Sequence, residues 1–120
     1  MARPRGFDEE TVLAQARTLF ATQGYNGTSI DDLVKATGLL RGSLYKAFGS
    51  KRHLFDLVLT QTIANFEVSG ENLDLLTVAL KDLAQSDVQI RERCLQLVST
   101  DRDGFAQLLG RNLLEKLKGS

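Results

Sequence analysis

The residues best suited to chemistry in this 120-residue chain are concentrated in one short stretch. Between Leu39 and His53 stand four cations, Arg41, Lys46, Lys51 and Arg52, and no acid. Small or hydroxyl-bearing residues, Gly42, Ser43 and Tyr45, lie among them. Such groups suit a polyanion: phosphate oxygens accept from all these donors, and Arg or Lys donates to guanine O6 and N7 in a major groove. Catalysis has little to work with. The chain holds one histidine and one cysteine, with no metal-ligand spacing and no Gly-rich phosphate loop. No catalytic residue, metal or cofactor is therefore expected. His53, after Lys51-Arg52, reads as solvated or phosphate-facing, and Cys94, within Cys94-Leu95-Gln96-Leu97-Val98, as a buried, inert thiol.

A net charge of zero would ordinarily count against nucleic acid, but the charge is unevenly spread. Residues 1–53 hold eight Lys/Arg against five Asp/Glu, a balance of +3, and the remainder seven against ten, a balance of −3. With 42% hydrophobic and 25% charged residues the chain has the composition of a folded globular protein. No apolar run approaches the roughly 18 residues that span a bilayer. Met1-Ala2-Arg3-Pro4-Arg5 is not followed by the apolar core of a signal peptide. Both observations predict a cytoplasmic protein without a membrane partner.

The elements that must position the cationic stretch are all helical. Asp8 caps a first helix with Phe7 stapled against Val12, and Val12, Leu13, Ala16, Leu19 and Phe20 share one face up to Gly24. Thr28 and Ser29 cap a short second helix with Ile30, Leu33 and Val34 inward, ending at Thr37-Gly38. A third helix starts within two residues, and so short a Gly-containing turn makes the pair cross steeply, as in a helix-turn-helix. On the third helix Leu40, Leu44, Ala47 and Phe48 fall on one side, and Arg41, Gly42, Ser43 and Lys46 on the other, with Tyr45 at the edge. Ser50 caps a fourth helix carrying Leu54, Phe55, Val58, Leu59, Ile63 and Phe66. Further helices are expected over about 72–85 and over 86–99, the latter opened by a capping box at Ser86-Asp87-Val88-Gln89. Residues 101–118 are expected to be helical too, interrupted by Gly104 and Gly110 and open to reading as two short helices. The fold class is all-α: a three-helix unit at 1–50, then a small helical bundle at 51–120.

The run from Gly24-Tyr25 through Thr28-Ser29, Thr37-Gly38, Gly42-Ser43-Leu44-Tyr45 and Phe48 to Ser50-Lys51 resembles the DNA-binding domain of TetR (tetracycline repressor) family regulators, over roughly 7–59. The resemblance implies a third helix that reads the major groove, homodimers and palindromic operators. It assigns base contacts to Arg41, Gly42, Ser43 and Lys46, against the alternative of a solvated charged face. Phosphate contacts fall to Thr28, Ser29, Tyr45 and Lys51, although capping alone also accounts for Thr28 and Ser29. An arm with Arg3 and Arg5 would follow the DNA backbone or enter the minor groove. Ala47 stands where relatives often carry His or an aromatic residue, which removes one contact.

Relatives are usually longer, with further helices that enclose an inducer pocket and build the dimer interface. Here Leu109, Leu113 and Leu117 form an i, i+4, i+8 stripe that can serve instead as a homodimer seam or simply cover the bundle. A small-molecule effector of unknown identity is compatible with this half. The competing function is a helical interaction module that pairs with a longer relative and does not regulate by itself.

Overall fold

Six of the seven described α-helices begin where a side chain takes up orphan backbone donors. The structure, a computed structural model, describes residues 7–118 and contains seven α-helices and no strand among them. Arg3 and Arg5, and any arm they form, lie outside the described residues. Asp8 accepts from the Glu10 amide to start α1, Glu9–Gln23. Ser29 starts α2, Ile30–Thr37, and Ser50 starts α4, Lys51–Ala64, through the His53 amide. Between them α3, Arg41–Phe48, has no side-chain cap. Ser69 caps α5, Gly70–Val78, which opens two residues earlier than the apolar pattern suggested and runs on through a π-helical turn, Ala79–Leu83.

Two expectations change in the second half. Asp87, not Ser86, caps α6, Val88–Val98, by accepting from the Ile90 amide. The last segment is one helix, α7, Arg102–Glu115, capped by Asp101. Gly104 and Gly110 lower its intrinsic propensity, but α7 packs along α5, with Phe105 buried and tilted against Phe66 at 5.6 Å. Tertiary packing decides the outcome.

One hydrophobic core runs from Val12 on α1 to Phe105 on α7, so the helix-turn-helix and the C-terminal helices share it. Its centre is aromatic. Phe20 and Phe55 meet edge to face at 5.1 Å, and Tyr25 closes the group at 6.0 Å from Phe20 and 5.4 Å from Phe55. Cys94 is buried in this core, which pushes its thiol up to about 11 and keeps it protonated near neutrality.

Charged pairs bolt the two halves together around the core. Arg52 grips Asp87 with two bonds of 2.8 Å and reaches Gln89 at 3.0 Å. Arg93 makes a forked pair with the buried Asp56, and Arg17 binds Glu71 at 2.9 Å. The Arg52 guanidinium holds the Asp87 carboxyl down, from 3.8 to about 2. A carboxylate with a depressed pKa adds stability that is complete above its unfolded value and lost as pH falls through its folded value. Unfolding free energy should therefore decline from about pH 4 towards pH 2, the interval set by that shift. Asp87→Asn keeps the cap but not the charge, so denaturant titrations across this interval should show a shallower pH slope than in the parent protein.

Candidate nucleic-acid interface

The α2–α3 turn is built from local hydrogen bonds that leave α3 projecting outward. Gly38 adopts φ 75°, a left-handed conformation that suits glycine, and its amide bonds the Val34 carbonyl at 2.9 Å. The Thr37 hydroxyl donates to the Leu33 carbonyl at 2.7 Å and accepts from the Leu39 amide at 3.2 Å. At the other end of α2, Ser29 and Asp32 form a reciprocal capping box, and Gln23 donates to both Asp32 and the Gly27 carbonyl. Bonds from the Ser29 amide and hydroxyl hold the Asp32 carboxyl below its usual range.

On α3, Leu44 and Phe48 are buried and fix the helix against the core. Arg41, Gly42 and Lys46 are exposed, Ser43 is half-buried, and Tyr45 is 44% exposed at the edge. These five side-chain positions share one surface. Leu40 departs from the expected inward face: it sits at the N-terminal boundary of α3 and is 76% exposed. A boundary residue has left the helical φ/ψ that would turn its side chain inward. A Cβ built on Gly42 meets nothing within 4 Å, so no internal contact requires glycine there.

The residues expected to hold phosphate separate. Ser29 is exposed, and its hydroxyl oxygen accepts from the Asp32 amide. Thr28 is buried, and its hydroxyl donates to the Gly24 carbonyl at 2.7 Å, so it ties the α1–α2 turn together. Lys51 turns inward too. Its ammonium donates to the carbonyls of Tyr25 and Thr28, both at 3.0 Å, and lies 4.2 Å from the centre of the Tyr25 ring. Arg52 is engaged with Asp87 and Asp56. Two of the four cations in the basic stretch thus brace the fold, and the outward cationic surface rests on Arg41, Lys46 and the polar groups between them.

Two features of the site lacked a local signal. Asp31, in the first turn of α2, makes an ion pair with Arg41. Asp82, on the π-helical turn, accepts the Tyr25 amide at 3.0 Å, anchoring the α1–α2 turn on the C-terminal half. The first spans ten residues and the second 57, so both depend on how helices cross.

Known proteins bear out the resemblance. Residues 12–58 match the model for bacterial regulatory proteins of the tetR family. This segment is similar to the helix-turn-helix domains of that family. The chain is 42% identical over 69 residues to the HTH-type transcriptional repressor ComR of Escherichia coli, covering 58% of this chain and 33% of that relative. It is 46% identical over 55 residues to the uncharacterized HTH-type transcriptional regulator YezE of Bacillus subtilis, covering 46% of this chain and 28% of the relative. With the HTH-type transcriptional repressor BdcR of Escherichia coli it shares 38% identity over 61 residues, 51% of this chain and 31% of the relative. The match thus spans a third or less of the length of these relatives. No solved structure matches the chain. No described helix is long and apolar enough to cross a membrane.

Because Lys51 satisfies two carbonyls of the α1–α2 turn, Lys51→Met should cost about 1–3 kcal/mol of unfolding free energy. Lys46→Ala, at an exposed position, should change it by less than about 0.5 kcal/mol. Urea titration of the two variants measures both.

Proposed function

We propose that the protein is a sequence-specific DNA-binding transcriptional regulator, acting as a repressor. Arg41, Gly42, Ser43 and Lys46 read base edges, and Ser29 and Tyr45 contact phosphate. The observation that carries this reading is the two-sided α3: Leu44 and Phe48 clamp one side, while the other presents cations, a hydroxyl and a bare backbone at Gly42. The absence of a side chain at Gly42 has no use inside the protein and suits close approach of a groove wall. The exposed Leu40 adds an apolar group suited to a thymine methyl.

Two copies of α3, about 34–36 Å apart in successive major grooves, would read a palindromic site. Exposed Leu113, Leu114 and Leu117 on and just beyond α7 supply an apolar surface for a homodimer. That same surface favours a second reading, in which the chain pairs with a longer relative rather than with itself. A half-open apolar cleft of about 450 Å³ between α6 and α7, lined by Leu80, Cys94, Val98, Phe105 and Leu109, offers room for a small apolar effector.

Gly42→Ala separates folding from function. With open space around its Cβ, the substitution should raise helix stability by up to about 1 kcal/mol. It should nonetheless weaken binding to duplex DNA. Thermal unfolding and fluorescence anisotropy with a labelled duplex measure the two effects. Lys46→Ala should reduce the slope of log K against log salt by about one unit. Salt-independent association, or none with any duplex, would overturn the proposal.

A further inference from the structure

Asp31, in the first turn of α2, carries an exposed carboxylate that is held by the first cation of α3. Asp31 Oδ1 pairs with Arg41 Nη2, with side chains 72% and 53% exposed. An exposed pair of this kind adds little to stability. It also places a negative charge beside the surface that meets phosphate. The neighbouring Asp32 is committed to the capping box and to Gln23, so the two adjacent acids have separate duties. From Leu33 to Phe55 the chain carries no other acid.

Arg41 itself sits awkwardly. It is the first residue of α3, where the helix end is partially positive, and α3 has neither a side-chain cap nor an acid in its first turn. An untethered arginine there has many rotamers, and ordering it on a base would cost conformational entropy. The pair with Asp31 removes much of that freedom before DNA arrives. One Nη2 hydrogen faces the carboxylate, and the rest of the guanidinium fork remains available for a bidentate contact to guanine O6 and N7.

We propose that Asp31 is a positioning residue for base readout: it orients Arg41 towards one base and gives up some affinity for DNA in general to gain selectivity at that base. This rests on the reading of α3 as the DNA-reading helix. The competing role is electrostatic support of the α3 N-terminus, which would affect stability and all sequences alike.

The test is selection of bound duplexes from a random pool with sequencing, applied to the parent protein, Asp31→Asn, Arg41→Ala and the double variant. Arg41→Ala should erase preference at one base position. Asp31→Asn should lower preference at that same position by roughly three- to tenfold, leaving the others intact, and should bind random duplex as well as or better than the parent. In the Arg41→Ala background, Asp31→Asn should leave base preference unchanged. Unaltered preference in Asp31→Asn, or an effect that persists without Arg41, would overturn the positioning role while DNA reading by α3 stands. A parent protein that enriches no sequence would overturn both.

Discussion

Lys51 lies across the Tyr25 ring and donates to two carbonyls of the α1–α2 turn, and the placing of the outer face of α2 and α3 depends on that junction. Tyr25 is the outer member of an aromatic trio with Phe20 and Phe55, so the ammonium closes a packed apolar cluster as well as a turn. Burial raises the Tyr25 phenol, which therefore stays neutral beneath the cation. The turn is held from a second side by Asp82. With Thr28 bonded to Gly24 inside it, the start of α2 has little freedom left.

Everything outward of this junction is weakly stable on its own. Eight-residue helices without tertiary support are marginal in water, and α3 also lacks a side-chain cap and contains Gly42. Leu33, Leu44, Phe48 and Leu54 supply the support, which places the rigidity of the outer face in the core rather than in α3. The C-terminal helices contribute through Arg52–Asp87 and Tyr25–Asp82, both of which cross from the helix-turn-helix to the second half. The Tyr25–Asp82 hydrogen bond ties the π-helical turn to the α1–α2 turn that precedes α2. The apolar cleft between α6 and α7 is lined in part by Leu80 from that same turn.

Much of this was legible in the sequence because it is local. Asp8, Ser29 and Ser50 cap the helices they precede, and the inward positions from Val12 to Leu59 follow helical spacing. The outward set Arg41, Gly42, Ser43 and Lys46 followed from the same periodicity. What escaped depends on distant partners. Nothing near Lys51 or Arg52 signals that carbonyls 23 and 26 residues away, or a carboxylate 35 residues away, will absorb their charge. Thr28 and Leu40 moved for a different reason: both lie at helix boundaries, where periodicity does not say which way a side chain turns. At α7, glycine propensity pointed to a break that packing against α5 overrides.

The central claim is that DNA meets the outer face of α3 and the start of α2. Backbone amide NMR of the labelled protein during titration with a short duplex at low salt tests it directly. The account predicts shifts concentrated at residues 29–31 and 41–46, with α6 and α7 largely unmoved. Shifts centred on α6 or α7, with the amides of α3 unperturbed, would contradict it.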